Sequence, residues 1–190
     1  MCLAQAQECI LEKSMADNRK AAINAKVAVQ IVDYYNMAMN MITTLEEEGS
    51  TLYSIGTKHL KRWRRYVKFK SAYYACISLL YQGMQSEEQQ KMGERVAYYQ
   101  AASDRLQEAF NLSKDIENQE AVQEALTFTM DVVVGKMKPA QNENNLIYHE
   151  KVPDREALPD VKGNLSCEAL RSASMIQKYL AKIFLPNLSP

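Results

Sequence analysis

Glycine and proline are scarce in this chain, six and five among 190 residues, and the prolines fall after Lys138. Such a distribution argues against a turn-rich architecture and for a compact helical body followed by an extended tail. An excess of one charge is also missing: 23 Lys and Arg balance 23 Asp and Glu. No overall field therefore draws the chain to nucleic acid or to a membrane, and any such attraction must come from local clustering. The four cysteines, Cys2, Cys9, Cys76 and Cys167, show no CxxC spacing and read as reduced thiols, mostly buried as small hydrophobes. The two histidines, His59 and His149, have no cysteine near them, so neither a metal nor another cofactor is expected. The longest mostly apolar run, Ala72 to Tyr81, is too short to span a bilayer. With no leader peptide and no C-terminal prenylation box, the expectation is a soluble cytoplasmic protein.

Catalytic signatures are lacking as well. No P-loop, HExxH or GxSxG occurs, and no cysteine has the Gly and Arg spacing of a phosphate-cradling loop, so the chain is not expected to be an enzyme. What is abundant is apolar surface: 47% of the residues are hydrophobic, enough for one sizeable core or two small ones.

Helical periodicity organises this apolar content up to about Pro139. The pattern predicts a first helix to about Ala16, ended by Asp17 and Asn18, and a second from about Arg19 to Thr43. A Glu46–Ser50 loop follows, then a third helix from about Leu52 to Met84. Ser86-Glu87-Glu88-Gln89 reads as a capping box that opens a fourth helix to about Lys114. A fifth covers about Gln119 to Met137, with Pro139 as its stop. The remainder is expected to be extended, apart from one short helix near Ala169 to Phe184. Ala72, Tyr73, Ala75 and Gly83 on the third helix, and Gly93, Ala97, Tyr98, Ala101 and Ala102 on the fourth, set small residues beside aromatics at helical spacing. That is how tetratricopeptide-like pairs bring helices close. The predicted fold class is all-α: an antiparallel TPR-like helical solenoid with an extended C-terminal tail.

Two surfaces stand out. On the second helix Ile23, Val27, Ile31 and Tyr34 form one apolar stripe, and Ala25, Ala28, Val29, Val32 and Met39 form another. Polar residues hold only a strip around Lys26, Asp33 and Asn40. A helix packed on one layer needs a single apolar face. Periodicity leaves two readings open: a helix buried on both sides, or a core stripe plus an exposed groove for another protein's amphipathic helix. The second surface is the run from Lys58 to Lys70, where Lys58, Lys61, Arg62, Arg65 and Lys68 share a helical face and Trp63, Tyr66 and Val67 point elsewhere. It reads as a solvated face with Trp63 in the core, or as a site for an anionic membrane surface or an acidic partner. Aromatics are not interleaved on the basic face, which disfavours nucleic acid.

Several blocks in order resemble a known family. These are Ala4-Gln5-Ala6-Gln7-Glu8 with Lys13, Asp33-Tyr34-Tyr35, Glu87 to Lys91, Gly93 to Gln100, Ala125 to Val132, and Asn144 to Tyr148 followed by Val152-Pro153. Together they look like the BRO domain, the boomerang-shaped helical module of the ALIX and His-domain tyrosine phosphatase type, closer to the latter. The resemblance covers the C-terminal half of the domain and implies a partial BRO domain over residues 1–153, with 154–190 as a tail packing on it. It implies a non-catalytic adaptor in endosomal and multivesicular body sorting, cytoplasmic and recruited to endosomes. Its partner would be the C-terminal helix of an ESCRT-III subunit of the charged multivesicular body protein class. The family's binding patch falls on Ile10, Ile23 and Val27, and a phosphorylatable loop tyrosine falls on Tyr148. The alternative is a generic helical scaffold, or a truncated fragment that has lost its partner.

Overall fold

The computed structural model describes residues 1–47, 56–114, 116, 119–159 and 161–163. Among these, five α-helices follow one another: α1 (Cys2–Ala16), α2 (Ala21–Glu47), α3 (Thr57–Glu88), α4 (Met92–Ser113) and α5 (Gln119–Glu143). A π-helical turn, Asn144–Tyr148, and a short 3-10 turn, Arg155–Ala157, complete the elements. The described residues hold no β-strand. The predicted helix near Ala169 to Phe184 lies outside the described residues, as do Cys167, the Glu48–Ser50 part of the predicted loop, and the proposed start of the third helix at Leu52.

Two apolar clusters share α3. One joins α1, α2 and α3 through Ala4, Leu11, Ala28, Ile31, Tyr35, Ile42, Val67 and Tyr74. The other joins α3, α4 and α5 through residues that include Phe69, Cys76, Leu80, Val96, Tyr99, Leu106, Leu126 and Val133. The α3–α4 pair is close because Gly83 leaves room for Tyr99; a Cβ at Gly83 would collide with that ring. Tyr99 is fully buried and its hydroxyl donates to Glu87 Oε2 at 3.1 Å.

Left-handed residues end three segments. Asn18 (φ 50°), Gln90 (φ 59°) and His149 (φ 54°) each reverse the chain after a helix. After α3, the Lys91 N–H donates to the Ser86 carbonyl and the Gln90 N–H to Glu87, the paired bonds of a Schellman motif. Ser86 therefore belongs to the last turn of α3 and does not cap α4. The predicted capping box fails because a serine followed by Glu and Gln also suits a helix's final turn. The same pairing after α1, from Arg19 to Ser14 and from Asn18 to Met15, shows that Asp17 and Asn18 close α1.

Pro139 does not stop α5, which runs on to Glu143. A proline inside a helix removes one N–H and crowds the carbonyl four residues back. Here that residue is Gly135, whose Cβ position is open space. Ala140, next in sequence, is 1% exposed and anchors the helix beyond the proline.

Past the π-helical turn the chain crosses back over the helices as a strap. Val152 packs on the α3–α4–α5 cluster, and the Tyr98 hydroxyl donates to the Pro159 carbonyl at 3.3 Å. Leu158, Pro159 and Val161 stand opposite Val29 and Val32 of α2 across a cavity of about 210 Å³. Gly163 then lies against α2 itself: a Cβ there would sit 3.2 Å from Gln30 Cα and 2.9 Å from Asp33 Oδ2. Gln30, polar in sequence, is accordingly buried.

Candidate functional site: partner-binding surfaces

The α1–α2 pair is antiparallel, and its register is fixed by polar contacts at both ends. Ser14 Oγ donates to Asn24 Oδ1 at 2.5 Å inside the turn, and Tyr35 donates to Glu8 further along. Glu8 also pairs with Lys70 of α3 at 2.8 Å, and the Lys70 ammonium lies over the rings of Tyr66 and Tyr74. Burial first, then the bond to Glu8, raises the Tyr35 hydroxyl well above its ordinary pKa. This network holds α1 on α2 and sets Ile10 about level with the turn around Ile31.

The predicted Ile23–Val27–Ile31–Tyr34 stripe divides. Ile31 is fully buried in the core, Val27 and Tyr34 are half-buried, and Ile23 is 43% exposed. Ile10 of α1 is half-buried. Ala25 and Ala28, from the opposite stripe, are fully buried. The exposed line continues where the sequence reading did not follow it. Met37 and Met41 are 61% and 71% exposed, and at 100° per residue both fall within about 40° of Ile23. Projecting the helical angle beyond Tyr34 would have found them. Leu3 of α1 is exposed as well. Gln30 lies about 20° from Ile23 on the same line and is buried against Gly163, so the exposed apolar side chains form two patches along α2: Ile23 with Val27 before the strap, and Met37 with Met41 beyond it. Asp33 stands beside the crossing, its carboxyl raised by burial.

The basic run behaves differently from its prediction. Lys58, Lys61, Arg62 and Arg65 line a cleft of about 860 Å³ between the first half of α3 and the first half of α5, and Lys68 is outside it. Tyr66, expected elsewhere, lines the same cleft with Phe69 and Tyr73. A side chain eight positions past Lys58 lies only about 80° around the helix from it, close enough to share the wall. Trp63, expected in the core, is 37% exposed. Arg64, on the far side, pairs with Glu46 of α2.

Tyr148 is 46% exposed in the π-helical turn, beside Leu146 and Ile147 at 77% and 66%. The turn is closed by the His149 N–H on the Asn144 carbonyl at 2.7 Å. Of the cysteines, Cys76 is buried, but Cys2 and Cys9 are exposed. They sit on the outer side of α1, one helical repeat of seven apart, so the expectation of mostly buried thiols fails there.

A family model for the BRO1-like domain matches residues 1–190. The chain belongs to the BRO1-like domain family. It is 47% identical over 163 residues to the human tyrosine-protein phosphatase non-receptor type 23, covering 86% of this chain and 10% of that protein. To the ALG-2 interacting protein X of Dictyostelium discoideum it is 30% identical over 171 residues, covering 88% and 20%. The BRO1-like chain thus spans a tenth of the first of these relatives and a fifth of the second. Two solved structures establish the fold: the ALIX BRO1 complex with CHMP4C, with TM-score 0.67, 24% identity, 85% of this chain and 40% of that one covered; and a Bro1 domain described in connection with endosomal targeting, with TM-score 0.71, 18% identity, 95% and 48% covered. Among the described residues, no helix of this BRO1-like chain is long and apolar enough to cross a membrane.

Proposed function

We propose that this chain is a non-catalytic adaptor in endosomal and multivesicular body sorting, and that it binds the C-terminal amphipathic helix of an ESCRT-III subunit on the α2 patch around Ile23. The observation that carries the reading is the 43% exposure of Ile23 on a helix whose opposite face is sealed in the core. Half-buried Ile10 and Val27 supply flanking contacts, and exposed Met37 and Met41, beyond the crossing of Gly163 over Gln30, offer a second patch with side chains that adapt to a partner's shape. A relative of the same fold was solved as a complex with CHMP4C, which names the class of partner to try first. The phosphatase relatives support no catalytic role for this chain, since the match covers about a tenth of their length.

Fully burying an exposed aliphatic side chain is worth roughly 1.5–3 kcal/mol, and these three anchors, already partly buried, each contribute less than that before costs. Docking and ordering a peptide helix offset much of that, which leaves an affinity on the order of micromolar. The test is fluorescence anisotropy with a CHMP4C C-terminal helix peptide. Ile23→Asp is expected to abolish binding while circular dichroism stays helical, because the position faces water in the free protein. An unchanged dissociation constant for that variant would remove the Ile23 patch as the site.

Tyr148, exposed on a closed turn, is proposed as a phosphorylatable tyrosine; a kinase assay followed by SH2-domain capture tests it, and absence of phosphate at Tyr148 rejects it.

A further inference from the structure

The cleft between α3 and α5 has a composition that the α2 patches lack. One wall carries Lys58, Lys61, Arg62 and Arg65, and the other, from α5, is small and apolar: Ala121, Val122 and Ala125. Between them lie Tyr66, Phe69, Tyr73 and Leu126; Leu126 and Phe69 are 0% and 7% exposed. Along α3 the lining runs from Lys58 to Tyr73, which is about 22 Å at 1.5 Å per residue. That length exceeds a small metabolite and equals about four helical turns.

We infer that this cleft is a second docking site, for an acidic amphipathic helix from a partner protein. Such a helix would set carboxylates against Lys58 and Lys61 of α3 and lay its apolar side on Val122, Ala125 and the aromatic side chains between the walls. Charge complementarity selects the acidic face, and the two unlike walls select amphipathicity. An anionic bilayer meets the first requirement but not the second. A planar surface reaches the rim lysines and cannot enter a concave slot to cover the half-buried Tyr66, Tyr73 and Val122. The site is separate from the α2 surface and does not depend on it: among the described residues, none of α2 lines the cleft.

The full chain is tested with a fluorescein-labelled sixteen-residue model peptide that carries Glu along one helical face and Leu and Ala along the other. A scramble of identical composition and phosphatidylserine vesicles serve as the other probes. The amphipathic peptide is expected to bind and to weaken as salt rises from 50 to 300 mM. Binding should fall at least tenfold in Lys58→Glu/Lys61→Glu and, separately, in Ala125→Arg, which blocks the apolar wall while adding a positive charge, so that a loss there cannot come from weakened electrostatic attraction. Ile23→Asp should leave it unchanged, so the α2 reading and the cleft reading can fail independently. The inference is overturned if the scramble binds equally, if Ala125→Arg binds like wild type, or if only the vesicles bind. It is overturned too if the cleft proves to be a contact between two copies of this chain, seen as a dimer on gel filtration that Ala125→Arg converts to monomer. Circular dichroism of each variant shows whether a loss reflects unfolding; both substituted regions face solvent, so the helical signal is expected to be retained.

Discussion

Cys76 is fully buried in the α3–α4–α5 cluster, and that burial pushes its thiol up to about 12. The hydroxyls of Tyr35, Tyr74 and Tyr99 are raised too, each chiefly by burial and then by a neighbouring glutamate. All four groups hold their protons more tightly folded than unfolded, so the unfolded chain releases protons first as pH rises. Their contribution is fully present below the unfolded values, near 9 for the thiol and 10 for the hydroxyls, and is lost above them. Urea midpoints should therefore be level from pH 7 to 8.5 and fall from pH 9 upward. Cys76→Val removes the thiol's share, so its midpoint should hold until the tyrosines begin to ionise in the unfolded chain near pH 10. Parallel curves for the two proteins would assign the alkaline loss to other groups.

The start of α4 has no side-chain cap of its own. Its Gly93 N–H donates to Glu150 Oε2 at 2.7 Å, and Glu150 is held in turn by Asn144, whose amide donates to the Glu150 carbonyl at 2.9 Å and accepts from its N–H at 3.2 Å. The approach is close enough that a Cβ on Gly93 would strike the Lys151 carbonyl. The loop after the π-helical turn thus caps a helix some 57 residues earlier in the chain. Glu150→Ala should cost about 1 kcal/mol, the usual value of a lost N-terminal cap. Hydrogen exchange should quicken at the amides of residues 93–96 and leave α1 and α2 unchanged. This contact marks where the sequence stopped being readable. The order and antiparallel packing of the five described helices follow from local periodicity, and the Gly83–Tyr99 fit from small residues beside aromatics. The role of Ser86, the passage of α5 through Pro139 and the cap from Glu150 depend on which residues meet in space. The same division holds at the surface: the stripe containing Ile23 is visible in the heptad-like spacing, but only packing removes Ile31 from it. The cleft needs α5 opposite α3, a pairing that the α3 sequence does not contain.

Across the whole molecule, α3 belongs to both apolar clusters, so neither half can open without disturbing the other. A polar clasp reinforces the second half: Arg95 of α4 pairs with Glu143 of α5 at 2.8 Å and with Glu87 of α3 at 3.7 Å. Its side chain is 6% exposed, while the two carboxylates are 43% and 38% exposed and remain partly hydrated. Arg95→Met should cost about 2 kcal/mol, below the value for a fully sealed pair because water screens the acids. A single cooperative urea transition is expected to persist at a lower midpoint; two separated transitions would show that the halves fold independently.

The strap gives this architecture a temporal order. Gly163 meets Gln30 across about 130 residues of chain, and ribosomes add roughly 5–20 residues per second. For roughly 7 to 27 seconds after α2 emerges, its Gln30–Asp33 surface therefore lacks its cover while the residues up to Gly163 are made. A nascent-chain chaperone has that interval in which to hold α2, and the arrival of Gly163 closes it.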